Sequence, residues 1–177
     1  MKKIVCLLFI FAIASTAFKP GQSAVTRSAI AFQIKNLGIN TGGSLGGLKA
    51  NIEFNPANLA ASSIQASVDV NTINTDNSSR DDHLKSDDFF DAARYPSITM
   101  RSVSFRHRSG NHFSGQFNLT IKNRSRLIEV PFTYTEKDNA RLLKGSFKIN
   151  RLDFGVGESS MVLSNEVTVS IDAELAR

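Results

Sequence analysis

Apolar and polar residues take turns along most of this chain. Ile30, Phe32 and Ile34 alternate with Ala31, Gln33 and Lys35. Leu48, Ala50, Ile52 and Phe54 repeat the pattern, and so do Ile64, Ala66, Val68 and Val70. It returns at Phe117, Leu119 and Ile121, at Ile128, Val130, Phe132 and Tyr134, at Phe147 and Ile149, and at Val167, Val169, Ile171 and Ala173. A period of two puts successive side chains on opposite faces of an extended strand, so each segment presents an apolar row and a polar row. Many such strands with one apolar face fold into a sandwich or a closed barrel.

Few segments interrupt the pattern. Gly42-Gly43-Ser44-Leu45-Gly46-Gly47 is too rich in glycine for a strand interior and reads as a turn with a bulge. Residues 79–91 are the one helix candidate, with Ser79 and Asp82 as a capping pair, Leu84 inward, and Phe89 and Phe90 at the end. Tyr95-Pro96 starts a further strand through Ile98 and Met100, because the residue before proline favours extended backbone. Pro131 falls on a polar row and predicts an edge, a bulge or a strand start. The expected fold is all-β, an antiparallel barrel of about eight or more strands with one short helical excursion.

The first residues do not belong to that domain. Met1-Lys2-Lys3 is followed by an apolar run over residues 4–14 and by the small residues Ser15-Thr16-Ala17. This is the layout of a cleaved secretory signal, and the run is shorter than the roughly 20 residues of a spanning helix. The reading is a signal peptide over residues 1–17 and one domain over residues 18–177, placed in the periplasm or outside the cell and not inserted in a membrane after cleavage. Loss of Lys2 and Lys3 from the 21 basic residues leaves nineteen against 16 acidic ones. That small, dispersed excess excludes a nucleic-acid binder, which needs a basic stripe with interleaved aromatics. Arg106-His107-Arg108 is the only dense basic patch, and reads as a solvated cluster. Cys6, the single cysteine, lies inside the signal, so a mature chain has no disulfide and no thiolate ligand.

Arg80-Asp81-Asp82-His83-Leu84 leads to Phe89-Phe90 and then to Tyr95-Pro96-Ser97-Ile98-Thr99-Met100. Ser114-Gly115-Gln116-Phe117-Asn118-Leu119-Thr120-Ile121, Ile149-Asn150-Arg151-Leu152-Asp153-Phe154-Gly155 and Glu166-Val167 follow in order. The series resembles the YceI-like family over nearly the whole of residues 26–175. The resemblance implies an exported bacterial lipocalin-like barrel that holds a long polyisoprenoid lipid inside, with no enzymatic activity. Two stretches depart from the family pattern. Asn36 stands where the family often has a histidine before leucine and glycine, and the long Gly42–Gly47 run replaces a shorter glycine-x-phenylalanine turn.

If the barrel is hollow, its wall is the inward rows and the helix: Ile30, Phe32, Ile34, Phe54, Val68, Val70, Leu84, Phe89, Ile98, Met100, Phe117, Leu119, Phe132, Phe147 and Ile149. Periodicity alone leaves open a fully packed core, as in an interaction or stress-response protein. No cofactor, metal or catalytic residue is expected, and a homodimer is compatible with the sequence. Gly42-x-Ser44-x-Gly46 matches a nucleophile elbow, but a strand pattern follows where the elbow needs a helix, so a hydrolase built on Ser44 is disfavoured. His83, His107 and His112 lack metal-ligand spacing, and Asp81, Asp82, Asp87 and Asp88 lack that of a calcium loop. Arg80 and Asp81 are expected to serve as structural pins, with Arg151 and Asp153 as their partners.

Overall fold

The computed structural model describes residues 25–138 and 140–176. The signal segment read at residues 1–17, with Cys6, lies outside them. Eight antiparallel strands follow one another around a closed barrel: β1 (Val25–Asn36), β2 (Ile39–Glu53), β3 (Ser63–Asn74), β4 (Ser97–Ser109), β5 (His112–Ile121), β6 (Arg124–Lys137), β7 (Ala140–Asn150) and β8 (Leu163–Ala176). The one α-helix among the described residues, α1 (Ser78–Lys85), connects β3 to β4. Closure is made by β1 against β8, where Ile30 faces Ile171 and Phe32 faces Val169. The antiparallel all-β barrel expected from the alternating rows is the fold observed. A closed barrel leaves no free sheet edge.

Up-and-down connectivity assigns every connection to one of two ends. One end carries the β1–β2 turn, the α1 connection, the β5–β6 turn and the β7–β8 link. The opposite end carries the β2–β3, β4–β5 and β6–β7 connections. The second end is packed solid. Phe54 sits among Phe105, Phe113, Phe132 and Tyr134, with ring centroids 5.3, 5.2, 5.3 and 5.0 Å away. Mostly edge-to-face, these contacts suit the opposed charge of ring faces and rims.

Two local expectations are corrected. The glycine run is not a turn: residues 42–47 lie within β2, whose pairing to β3 shifts register between Ser44 and Gly46 and again between Gly46 and Lys49. Gly47 has φ +65°, and the cavity-facing row passes from Leu45 to Leu48, so the glycines make a bulge inside a strand. Gly43 is required for a different reason: a Cβ there would stand 2.6 Å from the Asn74 carbonyl oxygen and 2.6 Å from the Phe32 ring. The helix is shorter than residues 79–91, and its cap is Asn77, whose side chain accepts from the Arg80 amide, not Ser79. After Lys85 the chain turns, and Asp91, at φ +51°, donates its amide to the Ser86 carbonyl. Pro131 does not start a strand, but it does stand where one side of β6 is unpaired, the edge position expected of it. It sits inside β6 opposite Ser114, one residue before the pairing to β7 begins at Phe132 and Gly145. A missing N–H is tolerated where a ladder ends.

The Asn150–Gly155 motif builds a tight corner. Asn150 accepts from the Leu152 amide, a 3-10 turn spans Arg151–Phe154, and Gly155 closes it at φ +67°. This corner drives Phe154 inward, where it is among the most buried side chains of the described residues.

Candidate functional site

The barrel is hollow toward the end that carries α1. A cavity of about 410 Å³ runs from that end to the aromatic plug. Ligand sites commonly occupy roughly 300–1,000 Å³. Its wall is assembled from every strand. β1 gives Ile30, Phe32 and Ile34, β3 gives Val68, and β4 gives Ile98 and Met100. Phe117 and Leu119 come from β5, Phe132 from β6, and Phe147 and Ile149 from β7. Leu84 of α1 and Phe89 beyond it cover the top.

Two residues placed on this wall by their sequence pattern are not there. Phe54 belongs to the aromatic plug, because β2 runs to its end just where the five rings meet. Val70 is 1 % exposed and packed away from the space, its amide bonded to the Pro96 carbonyl just past the end of the β3–β4 pairing. Phe132 does double duty, lining the cavity while stacked on Phe113 at 5.7 Å. The wall also includes Leu45 and Leu48 beside the bulge and Val167, Val169 and Ile171 of β8. The β8 residues belong to a row visible in the sequence. Leu48 likewise heads a row visible in the sequence, whereas Leu45 was hidden by the change of phase at Gly46-Gly47.

Polar groups gather at the α1 end. Asn36, Thr41, Thr75, Arg80, His83 and Arg151 all border the cavity there. Thr75 is held by its neighbours: its amide and hydroxyl donate to Asp81 Oδ1 at 2.9 and 2.5 Å, and Arg80 Nε donates to its hydroxyl at 2.8 Å. Arg80 and Asp81 thus pin the strand end to the helix start. Arg151 is not their partner. Its guanidinium donates to the carbonyls of Ser164, Val156 and Glu158 at 2.9, 2.8 and 2.7 Å, and to Asn165 Oδ1 at 3.2 Å. It is 4 % exposed, and burial holds its pKa below the ordinary arginine value. The backbone acceptors of the loop it crosses compensate for that burial. The Gly157 amide donates to the Asp88 carbonyl, so this loop and the turn after α1 are tied into one cover.

The disfavoured chemistries can be placed on the same frame. Ser44 lies mid-strand on the exposed outer face of β2, opposite Ala31, with no turn before it and no helix after it. His83 stands at the α1 end, whereas His107 and His112 flank the β4–β5 turn at the other. Among the described residues no three His, Cys, Asp or Glu side chains gather as a metal-holding group, and no helix is long and apolar enough to cross a membrane. Arg108 of the basic patch is engaged with Glu129 at 2.6 Å.

An eight-stranded meander barrel, plugged by rings at one end and enclosing one apolar space with a polar rim, is a lipocalin-like architecture. The YceI-like domain matches residues 22–175, and the chain belongs to that family. It is 26% identical over 145 residues to a UPF0312 protein of Vibrio cholerae, covering 76% of this chain and 77% of that one. A Yersinia pestis UPF0312 protein is 28% identical over 122 residues, 68% of this chain and 61% of the relative. Among solved structures, Burkholderia cenocepacia BcnA superposes with a TM-score of 0.80 at 26% identity, over 83% of this chain and 95% of that one. A polyisoprenoid binding domain from Saccharophagus degradans, implicated in plant cell wall breakdown, has the same fold, with a TM-score of 0.70 at 16% identity over 88% of this chain and 97% of that one.

Proposed function

We propose that this protein binds one long apolar lipid, of polyisoprenoid chemistry, in its barrel and carries or stores it outside the cytoplasm without transforming it. The observation that carries this reading is the cavity: branched and aromatic walls from all eight strands, a closed floor, and charged groups gathered at one end. Such a space suits an elongated molecule with its apolar tail toward the plug and its polar head near Arg80 and His83. The fold shared with a polyisoprenoid binding domain supports the same chemistry. Energetics favour a long chain over a small metabolite. An isoprene unit buries on the order of 100 Å², or roughly 2.5 kcal/mol at about 25 cal/mol per Å². Association costs on the order of 4–15 kcal/mol, so several units are needed before binding is tight.

Export is part of the proposal and rests on residues 1–17, with a mature chain beginning near Phe18. Solvent extraction and mass spectrometry of the purified protein test the function directly. A stoichiometric isoprenoid is the expected result. Repeated recovery of empty protein, with no uptake of added polyisoprenoid, would refute the carrier and leave a barrel used for interaction alone.

A further inference from the structure

Four large apolar side chains stand exposed together at the cavity end of the barrel. Leu37 and Ile39, each 71 % exposed, flank Gly38 in the β1–β2 turn, and Met161 and Val162 lie in the link before β8. The two segments touch: the Leu37 amide donates to the Val162 carbonyl at 2.8 Å. They are also continuous with the cavity wall. Asn36 and Leu163, which pair with each other across β1 and β8, both border the cavity. Ile39 extends the inward row of β2 one step beyond Thr41, past the rim. Among the described residues the other exposed large apolar side chains, Val103 and Leu127, are on β4 and β6.

Folding does not account for this lip. Leu37 has φ +52° and Gly38 φ +79°, and Asn36 pairs with Ile39, so the connection is a two-residue turn with left-handed backbone at both positions. Asparagine or aspartate before glycine is the favoured choice there, and a leucine is strained in that region. Met161 is fully exposed and supports no packing. Strain and exposed apolar surface kept together at the mouth of a cavity point to use.

We infer that Leu37, Ile39, Met161 and Val162 form a lip that inserts into the apolar surface of a lipid bilayer, through which the barrel takes up or releases its ligand. The choice of occupant rests on the lipid-binding reading above. A molecule that fits so apolar a cavity resides in membranes and scarcely dissolves in water, so transfer from bilayer to barrel needs an apolar path without a water gap. The lip continues the wall outward and supplies such a path. Its four members are uncharged, so insertion does not require anionic lipid.

The test uses exported protein whose N-terminus has been read by intact mass, in wild-type form and as Leu37→Asn/Met161→Ser. Flotation with phosphatidylcholine vesicles reads the lip alone. Equilibrium binding of a polyprenol added from ethanol reads the cavity alone, and uptake of the same polyprenol from vesicles reads their coupling. Wild type is expected to float with vesicles, with little dependence on salt. The double variant should lose about tenfold or more in vesicle association and in uptake rate, with unchanged affinity for ethanol-delivered polyprenol. Its melting temperature should not fall, because asparagine suits the turn. Wild type that fails to float, or a variant that floats and takes up polyprenol as wild type does, overturns the lip. So does a concentration-dependent oligomer abolished by the same substitutions in protein that ignores vesicles, which would make the lip a contact between copies or with another protein. Absence of ethanol-delivered binding in wild type refutes the cavity reading instead, and flotation still decides the lip.

Discussion

Met100 and Phe54 separate the hollow part of this barrel from its packed part, and substituting each gives opposite results. Met100 is half-buried because it faces the cavity. Phe54 is 9 % exposed, touches four other rings and lies outside the cavity. Met100→Asn sets an amide against the lipid tail with no partner, which costs about 1–3 kcal/mol. At 1.4 kcal/mol per tenfold, affinity falls roughly five- to 150-fold. Without lipid the amide faces open space, and only part of a methionine's burial is lost, about 1 kcal/mol. For a domain of this size that lowers the melting temperature by about 2–4 °C. Phe54→Ala removes the centre of the plug at about 3–5 kcal/mol, or roughly 6–20 °C, and leaves lipid affinity within about threefold when measured well below the new midpoint, because the ring makes no cavity wall. Thermal denaturation of lipid-free protein and polyprenol titration, run on both variants, read the two quantities. Equal losses of melting temperature, with affinity untouched by Met100→Asn, would refute the reasoning and show a core with no ligand space. Phe132 is a poorer probe, since it serves wall and plug at once.

Arg151→Met should destabilise the protein by about 1–3 kcal/mol, since it strands the buried Val156 carbonyl and removes the bonds to the part-buried acceptors of Ser164 and Glu158; a urea midpoint equal to wild type would show that water replaces the guanidinium without cost. Ser44→Ala, on the outer face of a strand, should change stability by no more than about 0.5 kcal/mol and leave lipid binding intact; a purified esterase activity abolished by that change would overturn the non-enzymatic reading. Hydrogen bonds from Arg108 and then Ser114 hold the Glu129 carboxyl below its ordinary pKa of 4.5. A depressed folded pKa stabilises above the unfolded value and is lost as pH falls through the folded one. The stability difference between wild type and Glu129→Gln should therefore be small, present above about pH 4.5 and gone in stronger acid; a difference that persists unchanged below that range would count against the ion pair.

Strand content was legible because a half-buried strand must alternate, and Ile64 to Val70 or Phe117 to Ile121 do so without interruption. The expectation of about eight or more antiparallel strands followed from the same rows together with the Tyr95-Pro96 strand start. Local grammar was harder to read. Gly42 to Gly47 has the composition of a turn, yet it makes a bulge, because the β1–β2 reversal had already been made at Leu37-Gly38. Asn77, not Ser79, caps α1, because the helix already begins at Ser78 and the Asn77 side chain reaches the Arg80 amide. Nothing in the spacing of Arg80, Arg151 and Asp153 distinguishes a pin to a strand end from a pin across a loop.

The identity of the rows was written in the chain: which faces are apolar, and that they belong to a barrel of the YceI-like kind. What the rows enclose was decided only in three dimensions. Phe54 and Phe32 carry the same alternating signature, but one closes a plug and the other lines a space. The reason is geometric. Alternation records the side of the sheet a residue faces and says nothing about how far the opposite wall stands. That distance is set by closure of β1 on β8 and by the end of the barrel at which each residue falls. The polar rim and the exposed lip arise in the same way, from α1, the β7–β8 link and the β1–β2 turn being carried to one end by the up-and-down path of eight strands.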